Sequence, residues 1–142
     1  MTRYLGTSSL LKLYVDEPGS VEVLDRVESA DVVATLTLTY TEVRAALARR
    51  RRERLLSPRG LAGGRRLLDT EWPAFIHLDV TPALCAGAGD LAERYRLRAY
   101  DSLHLAAYEI ALGAGVDQTF FSSADLALCR AAKALAKALS RP

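Results

Sequence analysis

Three acids stand where the sequence could use them for chemistry: Glu42, Asp101 and Asp125. Asp101 opens the stretch Ser102–Leu112. There Leu103, Ala107 and Ile110 lie on one helical face and Leu105, Tyr108 and Leu112 on another. A helix apolar on most sides belongs in a core. Asp125 opens a last helix behind the aromatic strand 119–122, and Glu42 lies in the first turns of a long helix behind strand 31–35. Helix N-termini favour carboxylates, so each acid has a plain structural use as well: a cap, a dipole complement, or, for Glu42, a surface partner of Arg44 or Arg49. If these helices follow parallel strands, their N-termini share one sheet edge and the acids converge. Converging carboxylates stay ionised together only when a cation neutralises them or one takes a proton. An all-oxygen set suits a hard divalent ion such as Mg²⁺, which also accepts phosphate oxygens. Two such ions can clamp an in-line displacement at phosphorus.

The elements that must position these acids alternate along the chain. Arg3–Leu5 reads as a short strand ending at Gly6, and Thr7-Ser8-Ser9 as a helix start with Leu10, Leu11, Leu13 and Tyr14 on its apolar face. A short helix over Ser20–Glu28 buries Val23, Leu24 and Val27. The long helix runs from Leu38 to Leu55, with Leu38, Val43, Ala46 and Leu47 inward. Ser57-Pro58 then restarts a helix as N-cap and first helical residue. Gly63-Gly64 weakens that helix and Pro73 ends it. Phe75–Val80 alternates as a strand, and Thr81-Pro82 caps a helix reaching about Tyr95. The last helix turns Leu126, Leu128, Ala132 and Leu135 inward. Strands alternating with helices predict an α/β fold: one domain over 1–142, with a short, mostly parallel central sheet flanked by helices. Ligands of such sheets collect at the carboxyl ends of strands, near a change in strand order.

A net charge of +2 says little about partners, but its distribution says more. Arg49, Arg50, Arg51 and Arg52 form a dense block, followed by Arg54, Arg59, Arg65 and Arg66. The block suits RNA phosphates or an acidic protein segment, or equally a solvated helix end. Cys85 and Cys129 form no Cys-x-x-Cys pair and sit among Ala and Leu, as small core or near-core residues. No apolar run approaches the roughly 20 residues of a membrane span and no leader pattern precedes the first strand, so a cytoplasmic protein is expected.

Four stretches resemble the motifs of the PIN domain family, and within it the VapC-type toxins of bacterial toxin–antitoxin pairs. Tyr4-Leu5-Gly6-Thr7-Ser8-Ser9 is similar to the first motif, and Thr39-Tyr40-Thr41-Glu42-Val43 to the second. Leu97–Ala107, with Tyr100-Asp101-Ser102-Leu103-His104, matches the third and most specific; Phe121-Ser122-Ser123-Ala124-Asp125 resembles the fourth. The resemblance implies a PIN-like fold and a Mg²⁺- or Mn²⁺-dependent endoribonuclease. In that scheme Glu42, Asp101 and Asp125 are catalytic and help hold metal, while Thr7 and Ser123 orient the acids or metal waters. It also implies a homodimer with an RNA substrate and a VapB-type antitoxin, and DNA contact only through that antitoxin.

The chain departs from the family pattern at two places. Gly6 stands where the family carries an Asp that binds metal. Glycine offers no side-chain oxygen, so metal binding and hydrolysis are expected to be impaired, by an engineered, selected or natural change. A non-catalytic module that binds antitoxin or RNA is the alternative. The second departure is at the C-terminus, where PIN domains often add a short apolar strand and residues 133–139 read as helix. His104, one turn beyond Asp101, is expected to be a packed histidine rather than a base. Trp72 and Tyr14 are expected to be core or dimer anchors rather than base-stacking platforms.

Overall fold

The computed structural model describes residues 1–142. Four strands, β1 (Thr2–Leu5), β2 (Val32–Leu36), β3 (Ile76–Leu78) and β4 (Thr119–Ser122), form one sheet in the order β3-β2-β1-β4. Every pairing is parallel, with Thr2 opposite both Val32 and Thr119. The chain steps outward from β1 through β2 to β3, then returns to place β4 on the other side of β1. The order therefore reverses at β1, and the crevice beyond its carboxyl end is the expected ligand position.

Seven helices cover the sheet: α1 (Thr7–Leu11), α2 (Ser20–Glu28), α3 (Leu38–Arg52), α4 (Pro58–Glu71), α5 (Pro82–Tyr95), α6 (Ala99–Leu112) and α7 (Leu126–Leu139). Strand alternation divides the core in two. Tyr4, Ala34 and Leu36 pack with α5, α6 and α7 on one face, while Leu5 packs with Leu10, Val43, Leu47 and Leu68 on the other. Buried Thr35 ties two strands at their carboxyl ends by donating its hydroxyl to the Leu5 carbonyl at 2.7 Å.

Helix starts follow the sequence signals closely. Ser57 accepts from the Gly60 N–H with Pro58 at the first helical position, Thr81 accepts from the Leu84 N–H, and Asp125 from the Leu128 N–H. Gly63-Gly64 does not break α4, because Gly64 is used for close packing. A Cβ there would stand 3.2 Å from the Tyr14 carbonyl oxygen and 3.5 Å from Leu47.

Several expectations require correction. α3 ends at Arg52, not Leu55; Arg54 adopts a left-handed conformation just beyond, and Leu55 is exposed. The third strand is only three residues long. α6 begins at Ala99, so Asp101 lies inside its first turn and Arg98 takes the N-cap position. Leu24 is exposed, as are Ile110 (56 %) and Leu126 (72 %), because each lies on a helix flank that no second layer covers. Cys85 is exposed and Cys129 only half-buried, so neither is a full core residue. Residues 133–139, in contrast, are helical as expected and belong to α7, which leaves β4 as an open sheet edge. No helix is long and apolar enough to cross a membrane.

Candidate active site

The carboxyl ends of β1 and β4 meet beside the start of α1. Gly6 donates its N–H to the Ser122 carbonyl at 2.9 Å and is the N-cap of α1. Its backbone is extended, with φ −72° and ψ 167°, so no glycine-only conformation is required there. A Cβ at Gly6 would meet the Ser122 carbonyl oxygen at 3.5 Å and Ser123 Cβ at 3.6 Å, ordinary van der Waals contacts. Position 6 therefore accepts a Cβ without rearrangement.

Thr7 donates its hydroxyl to Glu42 Oε1 at 2.9 Å, joining the start of α1 to α3. The same oxygen is met at 3.0 Å by Nε2 of His104, a residue only 3 % exposed. The other ring nitrogen, Nδ1, lies 2.9 Å from the buried Tyr4 hydroxyl. With Tyr4 donating to Nδ1, the ring N–H sits on Nε2 and points at the carboxylate. Burial, and then the charge of Glu42, raises the Tyr4 pKa well above its ordinary value, consistent with a hydroxyl that keeps its proton. Glu42 is therefore anchored by Thr7 and His104 rather than by Arg44 or Arg49. Arg44 donates to the Tyr40 hydroxyl and Arg49 to Glu53.

Asp101 and Asp125 meet through a third residue. Arg98 donates Nε–H to Asp101 Oδ2 at 3.2 Å, and its Nη2 lies 3.9 Å from Asp125 Oδ2. Asp125 at the same time caps α7. Ser123 Oγ accepts from the Asp125 N–H and lies 3.1 Å from Ser8 Oγ, which itself accepts from the Ala124 N–H. This serine network holds the β4–α7 turn against α1.

The two halves, Glu42 with His104 and Asp101 with Asp125, do not close into a cage. Nowhere in the chain do three His, Cys, Asp or Glu side chains come together as a metal-holding set. Their chemistry is that of a hard-ion site, since all three acids offer only oxygen. Their number and pairing fall short of it, with one acid hydrogen-bonded to a histidine and two linked by an arginine.

His104 is packed, as expected from the sequence, but its contact with Glu42, like the site roles of Tyr4 and Arg98, had not been expected. Helical spacing held part of the signal: Arg98 and His104 flank Asp101 at three residues on either side, one turn away. The Tyr4–His104 contact spans 100 residues and left no local trace. The arginine block stands apart from the acids, two to three turns beyond Glu42 on α3, roughly 10–15 Å along the axis. Arg50 is paired with Glu17 and Arg49 with Glu53, while Arg51 and Arg52 enter no ion pair. His77 stacks on Trp72 with ring centroids 4.3 Å apart, and no acid contacts it.

Comparison with known proteins agrees with this architecture. The PIN domain family model matches residues 3–134. Two relatives from Mycobacterium tuberculosis are each 33 % identical over 137 residues, covering 92 % of this chain and 94 % of their own length. They are Ribonuclease VapC45 of strain CDC 1551 / Oshkosh and Ribonuclease VapC49 of strain ATCC 25618 / H37Rv. From its parallel sheet, the order of its motifs and these matches, the chain belongs to the PIN domain family, in its VapC branch.

Proposed function

We propose that this chain is an endoribonuclease toxin of a type II toxin–antitoxin pair, dependent on Mg²⁺ or Mn²⁺ to hydrolyse RNA phosphodiester bonds, with its activity reduced by Gly6. The observation that carries the reading is position 6 itself. It caps α1 where β1 and β4 end and has room for a Cβ, yet contributes no side-chain oxygen. Three acids in two separate halves hold a divalent ion weakly, and a fourth carboxylate at position 6 supplies the missing donor.

The residues present have distinct parts in this reading. Thr7 and His104 fix one oxygen of Glu42 and leave the other for an incoming group. Arg98 offsets part of the charge of Asp101 and Asp125, and it is 84 % exposed, with guanidinium donors left for a phosphate oxygen. Its cognate partner is a VapB-type antitoxin covering the acid site. The chain acts as a homodimer, and it reaches DNA only through that antitoxin.

A second reading has its own support. Arg98 already offsets part of the charge that an ion would otherwise neutralise, which favours a module that binds RNA or antitoxin without cutting. RNA cleavage in millimolar Mg²⁺ separates the two. Gly6→Asp is expected to cleave at least about tenfold faster than the parent, and Glu42→Gln in that background to remove the gain. A Gly6→Asp protein as inert as the parent leaves the non-catalytic reading.

A further inference from the structure

We propose that the open edge of β4 docks an extended, acid-bearing segment of another protein, which joins the sheet as a fifth strand. β4 ends the strand order, so one side of it has no neighbour. In a parallel ladder, both backbone groups of a residue point to the same side, alternating along the strand. The Ser122 carbonyl accepts from Gly6, so Ser122 and Phe120 face β1. Phe121 therefore presents its N–H and C=O to the open side. Unpaired groups at an edge are a ready template for another strand.

A groove of about 430 Å³ runs along this edge. Its two faces differ in chemistry. Phe121 stacks on Tyr4 on the α6–α7 side, where Tyr108, Val116, Ala132 and Ala136 complete an apolar wall. On the opposite face the Arg3 guanidinium lies over the Phe120 ring at 5.2 Å, with Arg26 nearby; Phe120 is 43 % exposed. Lys133 stands at the rim on α7. Arg3, Arg26 and Lys133 enter no ion pair. Arg3 Nε is the chain's one buried side-chain polar atom without a hydrogen-bond partner. With no ion pair of its own, the Arg3 guanidinium can take a carboxylate on its outer nitrogens.

These charges also select the occupant. A second copy pairing edge to edge would bring three cations against three, whereas an acidic segment neutralises them. A phosphate group could meet the cations but would leave the Phe121 carbonyl without a donor; a strand satisfies both backbone groups. Successive residues of a strand point to opposite faces. The fitting segment therefore alternates acids, toward Arg3 and Arg26, with apolar residues, toward Tyr108 and Ala136.

The test is amide NMR of the full chain titrated with a capped hexapeptide alternating glutamate and valine. The amides of Thr119–Ser122 are expected to shift, and Arg26→Glu with Lys133→Glu, both at exposed positions, to weaken binding about tenfold. Alternate N-methylation of the peptide backbone is expected to abolish binding. Four results overturn the proposal: no shift at the edge, equal binding by the N-methylated peptide, equal shifts with inorganic phosphate or a lysine–valine peptide, or concentration-dependent self-association through this edge.

Discussion

His104 Nε2 lies 3.0 Å from Glu42 Oε1 across 62 residues of sequence, while its Nδ1 holds the buried Tyr4 hydroxyl. One side chain thus connects the core of the sheet to an acid at its rim. His104→Ala leaves three polar groups, on Tyr4, Thr7 and Glu42, without this partner and opens a cavity. The expected cost is about 2–4 kcal/mol, read as a lower urea midpoint at unchanged slope. Tyr4→Phe orphans only Nδ1 and is expected to cost less, about 1–3 kcal/mol.

Arg98 is the counterion of the second half of the site. It is largely exposed, so Arg98→Gln is expected to change stability by less than about 1 kcal/mol. Removing its charge from between Asp101 and Asp125 lets the two acids repel. Mg²⁺ affinity, followed by calorimetry, is expected to rise several-fold.

Adjacent glycines in α4 are expected to respond with opposite signs. A Cβ at Gly63 meets nothing within 4 Å, so Gly63→Ala is expected to stabilise by about 0.5–1 kcal/mol through helix propensity. Gly64→Ala pushes against the Tyr14 carbonyl and is expected to destabilise by about 1–3 kcal/mol. Thermal melts of the two variants check the contrast.

Alkaline pH is expected to destabilise the fold through its tyrosines. Burial raises the pKa of Tyr4, Tyr14 and Tyr108, and the charge of Glu71 and its hydrogen bond with Tyr14 add to the rise there. An unfolded tyrosine ionises near pH ~10. Above that pH the unfolded state holds fewer protons than the folded one. The stability due to these groups is therefore complete below pH ~10 and is lost as pH rises toward the folded values. Tyrosinate absorbance and circular dichroism recorded together are expected to show these residues ionising with unfolding; ionisation at an ordinary value in the folded chain contradicts this.

Local signals account for the parts of the fold that were legible in the sequence. The bounds of α2 and β4 and the caps Ser57, Thr81 and Asp125 follow from residue types within a few positions. Ile110, Leu126 and Cys85 have core-like neighbours in sequence yet are exposed, because apolar character marks what can be buried, while the second layer decides what is. The start of α6 was missed by three residues, which hid Arg98 at its cap. Glu42 was placed on its helix, but its partners arrive from β1's end and from α6, and only the assembled sheet brings them together.

In the proposed reading, Gly6 leaves Glu42, Asp101 and Asp125 short of one further metal donor. Calorimetric titration of Mg²⁺ into the parent and into Gly6→Asp tests it most directly, with thermal melting confirming that both are folded. Weak binding is expected for the parent and at least about tenfold tighter binding for Gly6→Asp, lost again when Glu42→Gln or Asp101→Asn is added. Equal affinity in the two proteins, or no binding by a folded Gly6→Asp, would contradict it.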